Sequence, residues 1–294
     1  MKIENIETFS ILAGNEICNA RCPYCVSKMT PLQGINDKEP IVNWRNIQKA
    51  CLLSKMSGVN TVMITGKGEP TLFPNQLTQF LEILQKFEFP IIELQTNGII
   101  LFEKADIYNP SLKKWYDLGL TTIAISIVHY DPLKNKEIYS PHKSQYIDLQ
   151  KLITTLHKQK FSVRLATILI DGFIDTSKKL QELIEFAKTN NVEQLTVRPV
   201  NRPKESQNLQ ISDWVKQHHL KEHQLEEMQS FLNTHGIPLM SLSHNAKVYD
   251  VDGQNICFTN SLTINAKTSS IRQLIFFPDG HLRFDWQYKG AILL

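Results

Sequence analysis

Short apolar runs separated by helical periodicities organise most of this chain. Thr8 to Leu12, Thr61 to Thr65, Ile91 to Gln95, Thr121 to Val128, Phe161 to Ile170 and Gln194 to Val197 are rich in Ile, Val and Thr. Their apolar positions are nearly continuous, as expected of parallel strands covered on both faces. Between them, Trp44, Ile47 and Cys51 recur at i, i+3 and i+7. Leu77, Phe80, Leu81 and Leu84 follow i, i+3, i+4 and i+7, as do Leu180, Leu183, Ile184 and Ala187. Each set lays one apolar stripe along a helix. Asn43 and Thr176 stand where side-chain N-caps are expected. Six such strand–helix units, ending near Pro199, predict an α/β fold with right-handed crossovers and a parallel sheet.

The rhythm changes after Pro199. Residues 201–210 are polar and contain a proline, and a helix follows with Leu225, Met228 and Leu232 on one face. From about Pro238 the chain reads as short strands and turns, with a hairpin signal at residues 277–282. The expectation is a core over residues 1–200 and an antiparallel, substrate-capping extension over 201–294.

Composition narrows the function classes. In 294 residues, 42% hydrophobic and 21% charged positions are ordinary for a soluble globular protein, and a net charge of +3 carries no strong nucleic-acid signal. No run approaches the roughly 18 apolar residues of a membrane span, and the start lacks the apolar stretch of a secretory signal. The expected location is therefore cytoplasmic. Thiols stay reduced there, and clustered cysteines more often bind metal than pair.

Three of the five cysteines, Cys18, Cys22 and Cys25, fall in the segment ICNARCPYCVSK with spacing C-x3-C-x2-C. Thiolates suit zinc, copper(I) or an iron–sulfur cluster. Structural zinc sites are closed by four ligands. Cys51 lies on a helical apolar position and Cys257 in a strand-like apolar run, where a buried, non-ligating thiol is the plain reading. Taken alone, the three cysteines fit either a cluster with one open iron or a zinc site completed elsewhere.

The spacing, with Tyr24 just before the third cysteine, resembles the signature of the radical S-adenosylmethionine (SAM) superfamily. The segment after the second strand reads TGKGEP, similar to that family's GGEP with Lys67 in place of the first glycine. The third strand ends in QTNG (95–98), similar to the family's TNG, and the stretch from Val163 to Pro199 is similar in layout to the molybdenum-cofactor GTP cyclase group. The resemblance implies a partial (β/α)6 barrel, a [4Fe–4S] cluster on Cys18, Cys22 and Cys25, and SAM on the fourth iron. It implies that Gly68 and Glu69 hold the SAM amino group. Tyr24, Asn97 (with Thr96), Ser126 and Arg164 are further cofactor contacts on the same ground. For Arg164, an unexpected charge in an apolar strand, an internal salt bridge is the equal alternative.

An electron donor such as a flavodoxin or ferredoxin is implied as a partner. The substrate is expected to be a small anionic, nucleotide-like molecule met by Arg198 at the end of the sixth strand, with a ribosomally made peptide as the second reading. Cys257 is a candidate hydrogen donor. In this chain residues 201–294 contain only that cysteine, so one cluster is expected, without the auxiliary clusters of many GTP cyclase relatives. A non-enzymatic zinc or iron–sulfur protein is the reading from a different class.

Glu69, Asn97, Ser126 and Arg198 all lie at or just past carboxyl ends of predicted strands, where parallel barrels build their sites. His129 and Tyr130 follow the fourth strand as substrate-facing or rim residues. His219 and His223 have the i, i+4 spacing of a helical metal pair, with a solvated helix face as the alternative. Trp286 and Tyr288, and the loop from Met29 to Pro40, are candidate covers for the barrel mouth.

Overall fold

The computed structural model describes residues 6–32, 35, 41–242, 246–259, 271 and 273–294. Its strands are β1 (Thr8–Leu12), β2 (Thr61–Thr65), β3 (Ile91–Thr96), β4 (Thr122–Ile127), β5 (Ser162–Leu169), β6 (Gln194–Pro199), β7 (Ile237–Ser241), β8 (Lys247–Val251), β9 (Gln254–Phe258), β10 (Gln273–Phe276) and β11 (Leu282–Arg283). Its helices are α1 (Val26–Met29), α2 (Trp44–Met56), α3 (Pro74–Leu84), α4 (Ile99–Glu103), α5 (Ala105–Asp117), α6 (Pro132–Tyr139), α7 (Leu149–Lys158), α8 (Ser177–Thr189), α9 (Leu209–His218) and α10 (Glu222–His235). All six expected strands form, each within two residues of its predicted ends.

Adjacent pairs from β1 to β6 are parallel and in sequence order. Helices cross over between them and cover one face. Phe9, Val62, Ile92, Ile123, Val163 and Leu195 point into that layer and are almost fully buried, together with Ile47, Phe80, Leu84, Leu183 and Cys51 from the helices. Burying such a side chain contributes about 1.5–3 kcal/mol. The two expected caps are present: Asn43 accepts the backbone amide of Asn46, and Thr176 that of Lys179.

The C-terminal residues add strands to both edges of this sheet. The hairpins β7–β8–β9 and β10–β11 are antiparallel, as expected, but each joins the barrel through a parallel strand: β9 beside β6, and β10 beside β1. The sheet thus runs unbroken across position 200, in the order β11-β10-β1-β2-β3-β4-β5-β6-β9-β8-β7. A local strand pattern cannot report this, because it is silent about which distant edge a strand will join.

Alternation along the strands separates the two faces. Ser10, Leu12, Glu93, Gln95, Ala124, Ser126, Arg164, Thr196, Arg198 and Cys257 alternate with the helix-covered residues and therefore face the inside of the curved sheet. At one end of this inner face Leu12, Ile275 and Phe277 form a separate small apolar cluster, covered by Trp286. Among the described residues no helix is long and apolar enough to cross a membrane.

Candidate active site

The loop after β1 carries the cysteines, and its path is set by hydrogen bonds to three other segments. Ala13 N–H donates to the Thr65 carbonyl at 2.8 Å, extending the β1–β2 pairing past the strand ends. The Asn15 side chain accepts the Ile17 amide at 2.8 Å, which turns the chain back. Glu69 N–H donates to the Ile17 carbonyl at 3.0 Å, and Arg21 N–H to the Tyr139 carbonyl at 2.8 Å. Cys25 then stands at the start of the short helix α1, and Thr30 closes that helix through its hydroxyl.

Gly68 is the residue this approach demands. A Cβ there would sit 2.1 Å from the Ile17 carbonyl oxygen and 2.7 Å from that of Asn15, so only glycine fits. The following residue, Glu69, is buried and holds the loops together. One oxygen, Oε1, accepts the Thr71 amide and hydroxyl and the Thr96 hydroxyl at 3.1, 2.6 and 2.6 Å; Oε2 accepts the Asn97 amide at 2.8 Å. Burial outweighs these donors and leaves the carboxyl above its ordinary range. Of the two oxygens, Oε2 keeps the greater acceptor capacity.

Asn97 joins the third strand to the cysteine loop. Its side-chain amide donates to Asn19 Oδ1 at 2.7 Å and lies 3.8 Å from Cys18 Sγ, while its Oδ1 accepts the Ile99 amide and starts α4. Tyr24 is half-buried; its hydroxyl donates to Tyr139 at 2.9 Å, and its ring meets Tyr139 edge-on and packs on Trp214. Tyr24 therefore fastens the loop to α6 and α9. The Tyr146 hydroxyl reaches the same buried patch.

The sulfurs are neighbours whose charges oppose one another. Cys18 is exposed as a residue, but desolvation of its sulfur pushes the thiol up to about 11. Burial and the adjacent Cys25 and Cys18 push Cys22 higher. Ionising Cys18 and Cys22 would set like charges beside one another, which a shared cation relieves. Among the described residues no three His, Cys, Asp or Glu side chains converge as a single-ion site. A [4Fe–4S] cluster takes one thiolate on each of separate irons, a donor set that Cys18, Cys22 and Cys25 can supply.

Other expected positions divide. Ser126 faces the inner surface, half-exposed, opposite Ala166 of β5. Arg198 ends β6 near the mouth, with its charge felt at Tyr24. Cys257 is half-buried on β9 opposite Thr196, within the electrostatic reach of Arg164. Arg164 itself takes the alternative reading. Its guanidinium pairs with Glu93, across the intervening strand at Ala124, and sits nearer the amino end of the barrel. That carboxylate balances the guanidinium charge within the protein.

His129 closes a turn, accepting the Asp131 amide at 3.0 Å. His219 and His223 do not share a helix, because α9 ends at His218 and α10 begins at Glu222. Trp286 does cover the inner face, whereas Tyr288 is 63% exposed. Most of the Met29–Pro40 loop lies outside the described residues. The pattern reading missed Glu93, Asn19, Thr71, Tyr139 and Tyr146. Only Glu93 had a visible signal, a lone charge in the apolar run of β3.

Comparison with known proteins bears on this arrangement. The model of the radical SAM superfamily matches residues 14–187. A GTP 3',8-cyclase of Aeromonas hydrophila is 27% identical over 169 residues, 56% of this chain and 46% of that protein. A UPF0026 protein of Helicobacter pylori is 23% identical over 191 residues, 63% of this chain and 59% of that protein. The chain thus spans about half the length of these curated relatives. Among solved structures, Streptococcus suis SuiB bound to S-adenosylmethionine superposes with a TM-score of 0.62 at 13% identity, covering 94% of this chain and 59% of that one. The enzyme anSMEcpe with bound AdoMet gives 0.61 at 14%, covering 98% and 74%. With the family model spanning well over half its length, the chain belongs to the radical SAM superfamily, enzymes that work with a [4Fe–4S] cluster and S-adenosylmethionine.

Proposed function

We propose that Cys18, Cys22 and Cys25 hold one [4Fe–4S] cluster and that this chain cleaves SAM reductively to attack a small anionic substrate. The observation that carries this reading is the interlock of Gly68 and Glu69 with the cysteine loop and Asn97 at the carboxyl ends of the first three strands. When bound, the cluster and SAM supply a 5′-deoxyadenosyl radical that abstracts hydrogen from the substrate.

The chain's own residues bind, orient and shield. Gly68 offers bare backbone to the SAM amino group, and Glu69 Oε2 offers a second acceptor. Asn97 orients Cys18, and Ser126 supplies a hydroxyl on the inner face. Arg198, at the mouth, is the proposed anion contact. Cys257, on the same face, is the proposed hydrogen donor where the reaction returns one. Trp286 excludes water from one end of the inner face. Residues 1–200 serve as the catalytic core and 201–294 complete its edges and cover. The cyclase relatives favour a nucleotide-like substrate.

Anaerobic reconstitution tests the reading. Uptake of about four irons, with release of 5′-deoxyadenosine on adding SAM and a reductant, is expected. Stoichiometric zinc without SAM cleavage overturns it. Comparing metabolites of a deletion strain with its parent then identifies the substrate.

A further inference from the structure

Lys67 takes the place of a glycine in the GGEP-like turn, and its side chain runs inward. The residue is 5% exposed. Its ammonium donates to the Thr30 hydroxyl, at the end of the helix that begins at Cys25, and lies 5.8 Å from the centre of the Trp286 ring. Thr30 is itself buried and bonded back to the Val26 carbonyl, so the contact point is fixed. Among the described residues no carboxylate stands within ion-pair distance of Lys67. A buried ammonium without a carboxylate needs another source of negative charge. Val26, to which Thr30 bonds, directly follows Cys25, so the ammonium is anchored close to a ligand of the proposed cluster.

From this placement we infer that Lys67 is a positioning residue for electron entry: its ammonium, anchored on the helix that starts at Cys25, sets a positive charge beside the cluster and raises the reduction potential. The inference rests on the proposed cluster ligation. The physical reason is that one-electron reduction adds a negative charge, and a cation held in a low-dielectric setting favours the more negative state. The Trp286 ring both excludes water from this cation and faces it with its π cloud. The neutral glycine of the GGEP pattern supplies no such charge.

Potentiometric titration of the reconstituted full-length protein, followed by the EPR signal of the reduced cluster, tests this without substrate turnover. Lys67→Met is expected to lower the midpoint, so that at a fixed potential the reduced-to-oxidised ratio falls about threefold or more. For a one-electron couple this corresponds to about 28 mV, at 59 mV per tenfold. Lys67→Arg is expected to keep the wild-type midpoint. Lys67→Gln, which retains a donor for Thr30, is expected to behave as Lys67→Met and stands in for it if that variant loads iron poorly. A neutral variant with full iron content and an unchanged midpoint overturns the inference and leaves the proposed function standing. Wild-type protein that takes up no iron overturns both.

Discussion

The carboxylate of Glu69 accepts the backbone amide of Asn97 at 2.8 Å, and so bolts the end of β3 to the turn that supports the cysteine loop. The same carboxylate takes three donors from Thr71 and Thr96 on its other oxygen. Glu69→Gln turns an acceptor into a donor inside this buried nest. The expected loss is about 1–3 kcal/mol of stability, with reduced SAM affinity, read from denaturant melts and equilibrium binding. Unchanged stability would show that the nest does not bear on folding.

Cluster ligation gives a sharper test. Serine at Cys18, Cys22 or Cys25 is expected to abolish the iron–sulfur absorbance, because each thiolate serves its own iron. Serine at Cys51, fully buried against the helices, is expected to leave iron content intact while lowering stability. Iron and sulfide assays on the four variants decide the matter.

Gly68→Ala places a methyl 2.1 Å from the Ile17 carbonyl oxygen. Relief requires the cysteine loop to move. The expected result is about 1–3 kcal/mol of destabilisation together with poor cluster uptake. Gly290→Ala, with nothing within 4 Å, is the neutral control.

Arg164 and Glu93 form the inner ion pair. Arg164→Ala strands a buried carboxylate and is expected to cost about 3–5 kcal/mol. The double variant Arg164→Met with Glu93→Gln is expected to cost much less than the sum of the singles. Loss of SAM affinity at full stability would instead place Arg164 on the cofactor.

His129 gives a pH signature. Burial lowers its imidazole below the ordinary value of 6.5, so the folded protein favours the neutral ring that accepts the Asp131 amide. This contribution is fully present above 6.5 and is lost as pH falls from there through the lowered folded value. His129→Asn keeps an acceptor but does not titrate. Wild-type stability is expected to fall more than the variant's between about pH 7.5 and about pH 5, as measured by urea melts.

The legible part of this protein was whatever a local pattern can express. The six strands, the apolar helix stripes, the caps at Asn43 and Thr176 and the core position of Cys51 all follow from spacing and residue type. The motif positions of Gly68, Glu69 and Asn97 were visible too, and the structure brings them against the cysteine loop. The partners were not visible. Tyr24 meets Tyr139 more than a hundred residues away, and Arg164 meets Glu93 across a strand whose Ala124 leaves room.

Sequence alone thus decided the α/β alternation, the cysteine spacing and the glycine-rich turn, because backbone propensity and ligand spacing act over a few residues. Tertiary packing decided the rest. It placed C-terminal strands on both sheet edges, paired Arg164 with Glu93, and turned Lys67 inward beneath Trp286. Each of these is a contest between distant groups for the same buried charge or the same open edge, and it is settled only when folding brings all the contenders together.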